Sequence, residues 1–228
     1  MRMFFSLTVV FGGIIFSFLS LCFGQEQETY QCSYRAGMSP VFDGRIDQEL
    51  FWNSLPASSD FMVYKKNITA SPETYFKAAY NDEAWFIGVC CKEPNIKGIK
   101  ANFKDNENVC KDDGIELFIF PQGMETYWHF IVNTEGFRYN GKGYNQESLY
   151  NWSALTYKGE DFYSIEIKLP FELFCVIPAK NEKWRVNIAR NINNAKLNAS
   201  TTHTVWGGGG FHNCNEFNLF LFPETLSE

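Results

Sequence analysis

Hydrophobic and polar positions alternate most clearly between Gly114 and Phe120. Ile115, Leu117 and Ile119 fall on one face of an extended segment, and Glu116, Phe118 and Phe120 on the other, because side chains alternate along a strand. Pro121 and Gly123 interrupt the pattern, and Trp128, Phe130 and Val132 resume it. The two runs predict a β-hairpin near the centre of a larger sheet, with both faces covered. Glu116 points the same way as two phenylalanines, and a carboxylate on such a face needs a partner. Arg190, at the end of an apolar strand face, is the expected one.

The same pattern recurs along the chain. Tyr75–Tyr80 and Ala84–Cys91 read as strands joined through Asn81, Asp82 and Glu83. In the second of these, Trp85, Ile87, Val89 and Cys91 oppose Phe86, Gly88 and Cys90. Tyr163–Leu169 has a half-exposed alternation. Trp184–Arg190 places Trp184, Val186, Ile188 and Arg190 on one face and Asn187 and Ala189 on the other, and Phe217–Phe222 forms a last strand. An Asp-Gly turn at Asp43 precedes a helical turn that buries Phe51 and Trp52, and a second helical turn follows Pro170. Lys92–Lys111 and Gly136–Ser148 read as loops. Short alternating segments separated by turns predict an all-β fold, an antiparallel β-sandwich of jelly-roll or immunoglobulin-like type with short helical turns.

Composition turns this pattern into one domain. The chain has 228 residues, 45% hydrophobic and 18% aromatic, enough for a single substantial core. Residues 1–24 have the layout of a signal peptide: Arg2, an apolar run from Phe4 to Phe23, and Gly24 at the cleavage point. A membrane anchor is the rival reading, since the run reaches the roughly 18 apolar residues that span a bilayer. Lipid attachment at Cys22 is disfavoured by Leu21 before it. Residues 25–40 then form a polar lead-in and 41–223 the domain, secreted, periplasmic or at the cell surface.

Beyond Cys22 the chain carries Cys32, Cys90, Cys91, Cys110, Cys175 and Cys214, an even count compatible with three disulfides in an exported protein. Asn67, Asn151 and Asn198 head glycosylation acceptor triplets. A net charge of −6 with no basic block excludes nucleic acid as a partner and suits neutral or cationic ligands.

Seven motifs in order carry a family resemblance. They are Phe42-Asp-Gly-Arg-Ile-Asp with Phe51-Trp52, the hairpin from Ala79 to Val89, Asp112-Asp113-Gly-Ile-Glu116, Tyr127-Trp128-His129-Phe130 to Gly136, Ile165-Glu166 to Phe171, Trp184 to Arg190, and Trp206 to His212. Over Val41 to Phe222 the chain resembles the family 9 carbohydrate-binding module. The resemblance implies a β-sandwich with structural calcium that binds polysaccharide or oligosaccharide of xylan or cellulose type, in a slot between two tryptophans. It also implies association with secreted glycoside hydrolases, here as a separate chain.

Sugar recognition needs flat aromatic faces ringed by planar polar groups. The expected faces are Trp152, Trp206 and Trp128; Trp206 precedes four glycines that allow close backbone approach. The expected polar contacts are Arg190, Asn133, Asn187 and Glu116, with core roles as the alternative for each. In the family-like motifs Asp43, Asp47, Asp112 and Asp113 are the oxygen donors for calcium, or else solvated acidic turns. Other classes remain open at this level. They are a glycoside hydrolase using Glu116 and Glu166, a metal on His203, His212 and Cys214, haem on Met62, Met124 or His129, and a structural sandwich without a sugar slot.

Overall fold

In a computed structural model, two sheets face each other across an aromatic core. The structure describes residues 6–11, 14–19, 27–66, 68–148, 151–193, 202–207 and 210–223. Strands β1 (Ser6–Phe11) and β2 (Ile14–Leu19) pair as a separate ribbon. The rest of residues 1–24, including Cys22, and the acceptors Asn67 and Asn198 lie outside the described residues. Among the described residues no helix is long and apolar enough to cross a membrane.

The chain then runs through β3 (Thr29–Gln31), β4 (Ser33–Tyr34), the single turn α1 (Leu50–Asn53), β5 (Met62–Val63), β6 (Thr74–Tyr80) and β7 (Ala84–Lys92). The predicted central hairpin follows as β8 (Gly114–Phe120) and β9 (Trp128–Asn133), and then β10 (Arg138–Lys142) and β11 (Asn145–Gln146). Last come β12 (Ser153–Lys158), β13 (Phe162–Pro170), β14 (Glu182–Ile192), β15 (Thr202–Val205) and β16 (Asn218–Phe222). One sheet of nine strands has the order β11-β10-β9-β8-β14-β15-β5, with β16 beside β14 and β3 beside β16. The other has five, β12-β13-β7-β6-β4.

The alternation read from the sequence decides what lies between the sheets. Ile115, Leu117 and Ile119 of β8 meet Trp85, Ile87 and Val89 of β7 and Ile165 and Ile167 of β13 in one buried cluster. Trp184 sits among Trp85, Phe174 and Phe222 with tilted or edge-on rings, the geometry aromatic pairs prefer. On the outer side of the five-stranded sheet, Trp52 from α1 and Ile46 pack over Phe86 and Cys90. Gly88 makes room for them, because a Cβ there would lie 2.6 Å from the Ile46 Cγ2. The predicted core role of Trp52 is the observed one.

Three expectations need revision. The sheets already begin upstream of Val41, within what the sequence suggests is lead-in. Tyr30 is buried, accepting the Ala78 N–H at 2.9 Å and donating to the Pro56 carbonyl at 2.8 Å, and β3 and β4 add parallel edges to otherwise antiparallel sheets. The Gly136–Ser148 segment is not a loop throughout, because β10 pairs with β9 over its whole length. Among the described residues no disulfide forms, and Cys32, Cys90, Cys91, Cys110, Cys175 and Cys214 are all free thiols. Alternation sends Cys90 and Cys91 to opposite faces, Cys32 is packed in the core, and the other three belong to separate connections.

Candidate functional site

The outer face of the nine-stranded sheet carries the polar residues that alternation excludes from the core. Register places His129 of β9 opposite Phe118, and Ala189 opposite Glu116, so Glu116, His129 and Asn191 gather on one patch. There they form a continuous hydrogen-bonded chain. His129 Nε2 lies 2.7 Å from Glu116 Oε2. Asn191 Nδ2 donates to Glu116 Oε1 at 2.7 Å and to the Cys110 carbonyl at 3.1 Å. His203 Nδ1, from β15, lies 2.7 Å from Asn191 Oδ1. Burial pushes the Glu116 carboxyl up, but the hydrogen bond and charge of His129 and the Asn191 amide outweigh it and hold the group below its ordinary range. The His129 ring stacks on Phe118 at 4.2 Å and 17°.

Above this patch opens a cleft of about 930 Å³. Glu116, His129 and His203 reach its floor, Tyr64, Tyr139 and Phe211 form apolar walls, and Asn106, Asn108 and Gln146 line it with amides. His212 enters from the last loop, its Nδ1 2.6 Å from the Tyr127 hydroxyl. Tyr144, 79% exposed, lies over the His212 ring at 4.6 Å. Burial lowers the pKa of both His203 and His212. It also raises the Cys110 thiol, which is therefore no activated nucleophile.

Of the residues expected to contact sugar, only Glu116 reaches this cleft. Trp152, Trp206 and Trp128 are at most 3% exposed and belong to the core, so none offers a face to a ligand. Trp152 donates its indole N–H to Asn140 at 3.1 Å and packs edge-on against Phe130. Trp206 lies between Phe76 and Phe220, and Gly207 after it packs against the protein's own sheet, a Cβ there meeting the Asn218 nitrogen at 3.0 Å. Gly208 and Gly209 lie outside the described residues.

The expected polar contacts are also placed elsewhere. Arg190 pairs not with Glu116 but with Glu93 at 3.1 Å, because β14 turns Arg190 inward while Glu116 faces outward. Asn133 donates to Asp112 at 2.9 Å and its Oδ1 accepts the Glu135 and Phe137 N–H groups, shaping a tight turn. Asn187 ties down the last loop, accepting the Gly207 N–H at 3.0 Å and donating to the Gly210 carbonyl.

The four aspartates do not fit calcium. Asp112 accepts N–H groups from Asn102 and Phe103, and Asp113 from Lys100 and Asn193, so these carboxylates are ringed by donors rather than by further oxygens. Asp43 accepts the Arg45 N–H, and Asp47 pairs with the Arg45 side chain. Among the described residues no three His, Cys, Asp or Glu side chains converge as a metal site, which also removes the His203, His212 and Cys214 set.

The paired-carboxylate reading fails on topology. Glu166 belongs to the five-stranded sheet, where it accepts the Trp52 indole N–H and the Gly44 backbone N–H, both at 2.6 Å. The core therefore separates it from Glu116, and the two cannot flank one glycosidic bond. Haem has no axial position at His129, whose Nε2 is held by Glu116.

Some of the site lay within reach of the sequence. Once Trp128 and Phe130 face inward, His129 must face outward beside Glu116, and Asn191 is the next outward position after Asn187 and Ala189. Phe211 and His212 fall in the Trp206–His212 motif, whereas Tyr64, Tyr139 and Tyr144 join them from other segments with no shared spacing, and no local pattern marks these three tyrosines.

Comparison with known proteins places this geometry. No curated protein matches the chain. Among solved structures it resembles a protein from Bacteroides uniformis assigned to carbohydrate binding, at 15% identity and TM-score 0.69, covering 86% of this chain and 100% of that one. It also resembles a family 9 carbohydrate-binding module from Caldicellulosiruptor kristjanssonii, solved with glucose (15% identity, TM-score 0.66, 88% of this chain and 99% of that one). A family 9 module from the same organism, solved with cellotriose, gives 15% identity and TM-score 0.62, over 86% of this chain and 95% of that one. At that identity the likeness is one of fold. The sequence model of carbohydrate-binding family 9 matches residues 47–181, more than half of the chain. The chain belongs to carbohydrate-binding family 9.

Proposed function

We propose that the domain holds an oligosaccharide of cellulose or xylan type in the cleft over the nine-stranded sheet and performs no chemistry on it. The observation that carries this reading is Tyr144, a 79% exposed ring set over His212 beside a cleft lined with amides. A pyranose has an apolar C–H face that packs on such a ring and hydroxyls that need planar polar partners, which Asn106, Asn108 and Gln146 supply. Family membership and the glucose and cellotriose bound by its relative support the ligand class. The N-terminal charge and apolar pattern supports export, with a separate glycoside hydrolase as the functional partner.

Calorimetric titration with glucose, cellotriose and xylotriose tests the reading. Saturable binding that weakens in Tyr144→Ala is expected, and sugar release from the oligosaccharides would overturn the non-catalytic assignment. A second reading, a sandwich that keeps the family fold without a sugar slot, is favoured by one observation, the burial of both Trp152 and Trp206. It predicts no heat with any of the three sugars.

A further inference from the structure

The hydrogen-bonded chain on the cleft floor has a direction, and that direction reaches the ligand. Glu116 Oε1 and the Cys110 carbonyl can only accept, so the Asn191 group facing both is its NH2. The Asn191 Oδ1 on the other side is then an acceptor, and the His203 nitrogen 2.7 Å from it, Nδ1, carries the ring proton. A neutral His203 therefore has a bare Nε2. That atom has no hydrogen-bond partner among the described residues, and its ring lines the cleft.

We propose that His203 Nε2 is a fixed acceptor for a ligand hydroxyl, so that the cleft requires a donating group at this position and loses it when the ring is protonated. This rests on the oligosaccharide reading and adds to it one contact with a defined sense. The titratable groups that line the cleft with His203 are Glu116 and His129 from β8 and β9, Tyr139 from β10, Glu107, Cys110 and Lys111 from the segment before β8, Tyr64 after β5, and His212 from the last loop. Glu116 favours the imidazolium, but burial outweighs it and lowers the His203 pKa, so the neutral ring prevails at neutral pH. The walls on either side, Phe211 at 5.1 Å and Tyr64 at 6.3 Å, meet the ring edge-on and fix its plane. Ligand discrimination follows from this arrangement. A sugar whose hydroxyl is methylated or absent at that position leaves Nε2 without a donor, whereas a substituent elsewhere on the same ring is tolerated.

Long-range proton–nitrogen NMR correlation of the histidine rings tests the first half without any ligand. The Nδ1–H tautomer is expected for His203 at pH 7, and an Nε2–H tautomer or an imidazolium overturns the proposal. Titration with cellotriose between pH 7.5 and 4.5 tests the second half. The affinity is expected to be level at neutral pH and to fall about tenfold per pH unit below the His203 pKa, while saturation shifts the His203 Nε2 resonance. His203→Gln keeps an acceptor that does not titrate, and its binding is expected to persist with a flattened profile. His203→Phe is expected to weaken binding about tenfold at pH 7. Cellotriose binding that is independent of pH in the native protein, or equally pH-dependent in His203→Gln, overturns the contact while leaving sugar binding intact. Absence of cellotriose binding at every pH overturns both the contact and the reading beneath it.

Discussion

Arg190 Nη2 lies 3.1 Å from Glu93 Oε2 between the two sheets, with both side chains sealed from solvent. The guanidinium also donates to the Lys92 carbonyl at 2.8 Å and to Thr74 Oγ1 at 3.2 Å, and its plane covers the Tyr163 ring. The pair thus ties the end of β14 to the segments that flank β6 and β7. Replacing Glu93 by Gln leaves a buried cation without its counter-charge, an expected loss of about 3–5 kcal/mol in urea unfolding. A loss below about 1 kcal/mol would show that the other acceptors suffice.

Burial separates the tryptophans from the exposed tyrosine in a way that mutants can read. Trp152→Ala or Trp206→Ala removes a core side chain and should cost about 3–5 kcal/mol of stability. Tyr144→Ala, at a 79% exposed position, should change stability by no more than about 0.5 kcal/mol. It should still weaken oligosaccharide binding by about 0.5–1.5 kcal/mol, roughly twofold to tenfold. The opposite result, with Trp152→Phe folded but unable to bind and Tyr144→Ala unaffected, would move the site away from this cleft.

Glu116 makes a signed contribution to acid stability. Its folded pKa lies below the ordinary 4.5, so its contribution is complete above that value and is lost as pH falls through the folded pKa. Glu166 is shifted the other way, raised by burial, and its contribution declines as pH rises through its folded value. The informative quantity is therefore the difference between the native protein and Glu116→Gln. That difference should be about 1.5–3 kcal/mol at pH 7, from the charged hydrogen bonds to His129 and Asn191, and should shrink below pH 4.5. A difference that is constant from pH 7 to pH 3 would contradict the assignment.

Six free thiols among the described residues make redox chemistry a simple check. A thiol reductant should leave the melting temperature unchanged. Under native conditions an alkylating reagent should modify the exposed Cys175 first, and Cys32 and Cys91, sealed in the core, only on unfolding. A clear fall in melting temperature on reduction would show that a bridge forms after all.

How much of this was legible from residues alone depended on whether the information is local. Period-two alternation located β7, β8, β9, β13 and β14 and sorted their side chains into two faces, one of which the structure turns to the core, since a one-residue slip would expose a whole apolar row. It failed at β10, where Asn140, Gly141 and Gly143 read as a loop although Gly141 permits the close return of Asn145 that pairs β11. It also failed at β3, where three residues carry a single buried side chain, Tyr30.

The site was harder for the same physical reason. Trp152 and Trp206 follow polar or glycine-rich stretches, yet each is enclosed by rings from other strands, and that enclosure is a long-range property. Glu116 was identified correctly as a buried carboxylate in need of a partner. The partner proved to be the outward His129 and Asn191 rather than the inward Arg190.

The most direct test of the central claim is a backbone amide proton–nitrogen spectrum of the protein titrated with cellotriose. Oligosaccharide in the cleft predicts saturable shifts concentrated at Tyr64, Tyr144, His203 and His212, with the surroundings of Trp52 and Glu166 on the opposite sheet unmoved. No shift at any concentration, or shifts centred on the five-stranded sheet, would contradict it.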